Sequence, residues 1–240
     1  MNDPVFPGAA AQLPLALRFP PDQRFEGFVA APAGALAQLR ALARGEDGPS
    51  RVLIAGPAAT GKTHLLLAAC AEAEAAGRRT AYLPLAAAAG RLRDALDAFE
   101  HADLLALDGL EAIAGLREDE IALFDAHNRA GDAGRSLLYA ARAMPDALAL
   151  TLPDLRSRLS QCARIALEPL DDGGRADVLR LRAQRRGLHL DDAAIDWLLK
   201  RVDRDLVSLT GLLDRLDRES LAAQRRLTVP FLRRIVGQGD

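Results

Sequence analysis

The feature that most restricts the fold is an octapeptide, Gly56-Pro57-Ala58-Ala59-Thr60-Gly61-Lys62-Thr63, which fits G-x-x-x-x-G-K-[ST] at every defined position. An apolar run, Arg51–Ala55, precedes it and an apolar helical pattern over Lys62–Ala76 follows. Such a loop works only between a buried strand and the amino end of a helix. Its glycines let the backbone curl so that successive N–H groups converge, and the helix adds its positive end. The octapeptide therefore predicts a strand–loop–helix unit inside a parallel sheet.

The rest of the chain extends that unit. Short apolar runs at Thr80–Leu85, Ala102–Asp108, Ser136–Ala141 and Arg164–Leu167 read as four more strands. Helical periodicity lies between or before them at Ala33–Arg44, Leu92–Phe99 and Asp119–Ala130. Strands separated by helices make right-handed βαβ units and a sheet covered on both faces. After Pro169 only helical patterns remain: Arg175–Arg186, Asp191–Arg201, Asp205–Gln224 and Thr228–Val236. Asp191 and Thr228 are placed as N-caps, and Pro230 suits a first turn. The expected fold class is α/β, a five-stranded parallel sheet flanked by helices and followed by a small all-helical domain. Residues 1–24, rich in Pro, Gly and Ala, read as an extended arm, residues 25–169 as the α/β domain and residues 170–240 as the helical domain.

The octapeptide is a P-loop, and its chemistry follows from its residue types. Gly56, Pro57, Ala58, Ala59, Thr60 and Gly61 would wrap phosphates, Lys62 would reach the β- and γ-phosphates, and the Thr63 hydroxyl would bind Mg²⁺. The run Leu104-Leu105-Ala106-Leu107-Asp108 delivers an acid to a strand end, which makes Asp108 the second Mg²⁺ ligand. Hydrolytic members of this class usually carry another acid next to it, but position 109 is glycine. Glu111 follows two residues later, where it would leave the strand end at a different angle.

Bulk properties exclude several other classes. A formal charge of −2 argues against a protein whose main work is coating nucleic acid. Cys70 and Cys162 have no CxxC context, and His64, His101, His127 and His189 sit at no metal-ligand spacing. No stretch resembles a secretion signal or a membrane span, so the expected compartment is the cytoplasm.

The P-loop, the Asp108 strand, the segment Leu152-Pro153-Asp154-Leu155-Arg156-Ser157-Arg158-Leu159 and the all-helical carboxyl-terminal part together resemble the AAA+ module of the DnaA/Hda family. The resemblance covers nearly the whole chain and is nearer to the short, Hda-type members. The sequence reaches Asp240 directly after the expected helical lid, where DnaA would continue into a helix-turn-helix domain. Gln12-Leu13-Pro14-Leu15-Ala16-Leu17 looks like the peptide with which Hda-type proteins bind the sliding clamp, Gln12, Leu13, Leu15 and Leu17 being the contacts. Leu107–Gly115, Asp203-Arg204-Asp205-Leu206 and Leu213–Arg218 are also similar to the corresponding Hda-type segments.

The resemblance implies roles. Arg158 would be the arginine finger offered to a neighbour's nucleotide, with Arg156 the second choice, and Arg204 would touch bound nucleotide from the lid. The implied ligands are ADP, or ATP or a related nucleotide, with Mg²⁺. The implied partners are DnaA and the β subunit sliding clamp of DNA polymerase III, with DNA met indirectly through the clamp and a homodimer left open. The implied work is negative regulation of replication initiation, by stimulating hydrolysis of ATP held by DnaA. The chain departs from the family where Ser136–Ala141 ends in Ala140 and Ala141 before Arg142, at a place that should carry a polar or acidic sensor. With Gly109, this implies a nucleotide hydrolysed slowly or not at all.

Two other readings remain. An autonomous AAA+ ATPase that remodels or loads a replication protein, in the manner of a helicase loader, would need vigorous turnover of its own. A DNA-binding regulator would work through a basic lid made by Arg180, Arg182, Arg185, Arg186, Arg225, Arg226, Arg233 and Arg234; the same residues otherwise form a solvated face answered by nearby acids. Trp197 is expected in the lid core rather than as a binding platform.

Overall fold

The computed structural model describes residues 23–188 and 190–201, together with Gly211, Leu213 and Leu232. The arm residues Gln12, Leu13, Leu15 and Leu17, the lid residue Arg204 and the helices expected at Asp205–Gln224 and Thr228–Val236 lie outside the described residues.

Five strands, β1 (Arg51–Ala55), β2 (Thr80–Pro84), β3 (Leu104–Asp108), β4 (Ser136–Ala141) and β5 (Ala163–Ala166), form one sheet in the order β2-β3-β4-β1-β5. Every pairing is parallel. Strand parity decides which side of the sheet each residue covers, because successive side chains point to opposite faces. Val52 and Ile54, Leu104 and Ala106, and Leu138 and Ala140 join one core. Leu53, Leu105 and Leu107, and Leu137, Tyr139 and Ala141 join the other. Both sets are apolar, so the strands read as continuous hydrophobic runs, the signature of a sheet buried on both sides.

The first core is closed by α1 (Ala35–Arg44) and α2 (Lys62–Ala75), the second by α3 (Leu85–Ala88), α4 (Leu92–Asp97), α5 (Arg117–Asp132) and α6 (Pro153–Ser160). Helix α2 is buried on almost every side, from His64 to Ala73, which its alanine-rich sequence permits because small side chains let the sheet and α1 approach closely. Helices α7 (Asp172–Arg185) and α8 (Asp192–Arg201) form a third, smaller core with Leu213 and Leu232, against which Trp197 packs part-buried. Asp191 caps α8 by accepting from the Ala194 N–H at 2.7 Å, as the sequence predicts.

The expected strands at Arg51–Ala55 and Ser136–Ala141 match their observed bounds. Others shift for local reasons. The third strand was expected from Ala102, but Asp103 is drawn aside by Arg79, whose side chain and backbone N–H both bind its carboxylate. The fifth strand begins and ends one residue earlier than expected, at Ala163 and Ala166. Helix α5 extends beyond both expected ends, and α7 starts at Asp172, capped by Asp171. The single turn α3 and the helical form of α6 were not predicted by periodicity; each is too short for a pattern, and α6 is marked only by Pro153 in its first turn. Among the described residues no helix is long and apolar enough to cross a membrane.

Candidate functional site

Strand β1 ends between β4 and β5, and the octapeptide leaves from that central position. Gly56 starts the loop where a side chain has no room, since a Cβ there would run into the Leu167 carbonyl oxygen. Gly61 ends it in a left-handed conformation (φ +92°), with the Phe28 ring lying where a side chain would go, 2.6 Å from an ideal Cβ. Between them Ala59 is also left-handed (φ 61°), an uncommon state for a residue with a Cβ. The backbone thus takes the curled form in which N–H groups converge ahead of α2.

Lys62 lies along this loop. Its ammonium donates to the carbonyls of Gly56 and Pro57, both at 2.6 Å. Burial lowers its pKa; Glu111 and Asp108 act to raise it, and Arg142 to lower it further. A half-buried cation whose hydrogen bonds among the described residues go to loop carbonyls suits a site built for an anion. Next to it, the Thr63 hydroxyl donates to Asp108 Oδ2 at 2.6 Å, and the Tyr82 hydroxyl donates to the same oxygen at 2.8 Å. Burial first, then the Asp108 charge, pushes the Tyr82 phenol up, so it stays a neutral donor. Thr63 and Asp108, brought together across 45 residues of sequence, form a hydroxyl–carboxylate pair of the kind that holds Mg²⁺ beside a phosphate loop. The donor set fits a magnesium-bound nucleotide.

Glu111 is occupied. One carboxylate oxygen lies 3.1 Å from Arg142 Nε, and the other accepts the Arg142 backbone N–H at 3.1 Å. Strand register places Ala140 opposite Asp108, so Arg142 projects just past the strand ends beside the phosphate loop. The Glu111 carboxylate is therefore bound up in an ion pair with Arg142.

The amino-terminal segment closes the other flank of the loop. His64 Nε2 and the Arg24 carbonyl oxygen are 2.8 Å apart, and the Phe28 and His64 rings meet edge to face with centroids 5.4 Å apart. A narrow cleft of about 70 Å³ lies between this segment, Gly61, Leu167 and the α7 residue Val178. It is apolar on several sides and continuous with the loop, as a nucleobase requires.

The two candidate finger arginines separate. Arg156 is half-buried and donates to the Leu150 carbonyl, which makes it a brace for the turn entering α6. Arg158 is exposed at the far end of α6 and has no hydrogen bond or ion pair through its guanidinium among the described residues. It opens onto a pocket of about 590 Å³ that also touches Ser50, Arg51 and His127. This pocket lies at the amino end of β1, whereas the phosphate loop lies at its carboxyl end. Arg158 therefore faces away from the loop of its own chain.

Helix α6 is fixed by a residue that sequence reasoning missed. Glu120, fully buried on α5, accepts from the N–H groups of Gly115, Thr151 and Leu152 and from the Thr151 hydroxyl. Burial acts to raise its pKa, but these hydrogen bonds outweigh burial and leave it below the ordinary carboxylate value. Tyr82 was missed as well, because its reach to Asp108 depends on β2 pairing with β3. In the lid, Arg180 is answered by Asp177 and Asp192, each at 2.9 Å, as a solvated face requires.

Comparison with known proteins agrees with this arrangement. Residues 172–236 match the family model described as the Hda lid domain. The chain superimposes on domain III of the replication initiation protein DnaA of Thermotoga maritima with a TM-score of 0.77 and 21% identity, over 92% of this chain and 98% of that one. It matches AMPPCP-bound DnaA of Aquifex aeolicus at a TM-score of 0.69 and 23% identity, over 83% of this chain and 66% of that one. The Thermotoga maritima RuvB branch migration motor matches at 0.65 and 18%, over 90% and 71%. An Hda-type lid match thus follows a sheet domain that shares the fold of DnaA domain III.

Proposed function

We propose that this protein is a negative regulator of chromosomal replication initiation: it holds ADP or a related nucleotide with Mg²⁺, binds the DNA-loaded sliding clamp through Gln12–Leu17, and stimulates hydrolysis of ATP held by DnaA. In its own site the loop N–H groups and Lys62 would hold the phosphates, Thr63 and Asp108 would hold the cation, and Arg204 is the lid residue assigned to touch the nucleotide. The nucleotide, when bound, supplies the negative charge that these groups and the helix end are arranged to meet. Glu111 is tied to Arg142, and the strand end at Ala140 and Ala141 offers no polar side chain to a water. The chain's own nucleotide therefore serves as a ligand more than as a substrate.

The observation that carries the reading is the placement of Arg158, exposed and without a guanidinium partner among the described residues, at the end of the sheet opposite its own phosphate loop. A cation placed there serves a nucleotide on another molecule. An arginine inserted in trans stabilises charge developing on the transferring phosphoryl group and raises its rate by about 10³–10⁵. The test is hydrolysis of DnaA-bound ATP in the presence of DNA-loaded clamp, comparing wild type, Arg158→Ala and the double change Gln12→Ala/Leu13→Ala. Wild type stimulates, and both variants lose the effect. Failure of wild type to stimulate, with brisk ATP turnover by the chain alone, would replace this reading with an autonomous ATPase.

A further inference from the structure

The pocket beside Arg158 contains a second arginine that no role so far explains. Arg51 opens β1, and its side chain runs across the sheet end towards the last turns of α5. Its Nε is buried without a hydrogen-bond partner, and among the described residues its guanidinium forms no ion pair. Asp132 also touches the pocket but is bonded to neither arginine. An arginine that only needed a place to rest would point to water or find an acid. This one is held inward, with an orphaned donor.

A glycine makes that position available. Gly131 lies in the last turn of α5, one residue before its end, where it offers no side chain. An ideal Cβ at Gly131 would collide with the Arg51 Nη2 atom and approach its Cζ to 3.2 Å. The helix gives up a better helix former at the one point where the guanidinium crosses it. On the pocket wall His127 is kept neutral, its pKa pushed down to about 4 by burial and then by the charges of Arg51 and Arg158. Its Nδ1 and the Tyr139 hydroxyl are 2.9 Å apart, which fixes the ring. Two guanidinium groups in one pocket of about 590 Å³, without an acid bonded to either, form an anion site.

We propose that Arg51 acts with Arg158 as a two-arginine clamp on the phosphate oxygens of the nucleotide held by a neighbouring AAA+ module. The inference rests on the trans role of Arg158 proposed above and adds to it a second phosphate-contacting residue. Arg158, on the exposed end of α6, reaches the phosphate from outside, and Arg51, seated over Gly131, meets it from the pocket floor.

The experiment measures hydrolysis of DnaA-bound ATP with DNA-loaded clamp, and the sedimentation-derived affinity of the chain for ATP-bound DnaA, for wild type, Arg51→Ala, Arg51→Lys, Gly131→Ala and Arg158→Ala. Arg51→Ala lowers the stimulated rate about a hundredfold and weakens association, and Arg51→Lys recovers part of both. Gly131→Ala keeps every charge and melts at or above the wild-type temperature, yet loses rate in the same direction because its methyl group displaces the guanidinium. Combining Arg51→Ala with Arg158→Ala costs less than the product of the two single losses, since both act on one phosphate. If wild type stimulates and Arg158→Ala does not, while Arg51→Ala and Gly131→Ala keep the full rate, the clamp is wrong and the finger stands. If wild type does not stimulate, both fall together.

Discussion

At the carboxyl end of the sheet Lys62, Asp108, Glu111 and Arg142 are each bonded to another group of the same chain, whereas at the amino end Arg51 and Arg158 have neither an acid nor an acceptor among the described residues. The first end satisfies itself with carbonyls, a hydroxyl and an internal ion pair, all of which can be exchanged for a ligand. The second presents two guanidinium groups to which no acid is bonded among the described residues. On the function proposed above, a molecule arranged in this way would keep its own nucleotide as a ligand and direct its unpaired charge at a neighbour.

The contrast can be broken in four ways, and the largest effect comes first. Arg158→Ala lowers stimulated hydrolysis of DnaA-bound ATP about a thousandfold and leaves the chain's affinity for a fluorescent ADP analogue unchanged. Loss of nucleotide affinity in that variant would show that the two ends are not separate. Second, Glu120→Ala destabilises the protein by about 3 kcal/mol in urea denaturation, since buried N–H groups lose their acceptor. The pH dependence has a definite sign. Because the folded Glu120 pKa lies below the ordinary carboxylate value, its contribution is fully present above that ordinary value and is lost as pH falls through the folded one. Wild type and variant therefore converge in stability in acid.

Third, Lys62→Ala weakens binding of the ADP analogue by about 2 kcal/mol, roughly thirtyfold, while the melting temperature without nucleotide stays near wild type. Equal affinity would remove Lys62 from the phosphate grip. The smallest effect belongs to Arg142→Ala. Breaking its half-exposed pair with Glu111 costs less than about 1 kcal/mol of stability. The chain's own ATP turnover stays near background, because freeing Glu111 does not supply a polar group at Ala140 or Ala141. A tenfold rise in turnover would identify the ion pair as the restraint and the quiet end as a restrained enzyme.

The phosphate loop was legible because everything that defines it is local: an apolar strand, two glycines at fixed spacing, a lysine and a hydroxyl. Strands β1 and β4 were legible for a related reason, since a strand buried on both faces is apolar along its length, here at every position after the first. The arginine end was much less so. Arg51 is only the first residue of a strand in the sequence, and its meaning depends on Gly131, 80 residues away, leaving room for it on α5. Glu120 reads as one of three acids in the first turn of a helix, where the dipole explains them all; only folding reveals that it is buried, with Asp119 beside it, and that it serves the start of α6. Arg156 and Arg158 are two residues apart and chemically identical, so the choice between them could come from the sequence only by resemblance. In the structure their surroundings differ: Arg156 is spent on the Leu150 carbonyl, and Arg158 is exposed.

The stacking of Phe28 over Gly61, with the Arg24 carbonyl set against His64, has a mechanical meaning. The segment from Arg24 to Phe28 packs on the first turn of α2, beside the lysine and threonine of the loop. A ligand that shifts Gly61 or His64 would therefore be felt at Phe28 and at the Arg24 carbonyl, far from the phosphates in sequence but in direct contact with the residues that grip them.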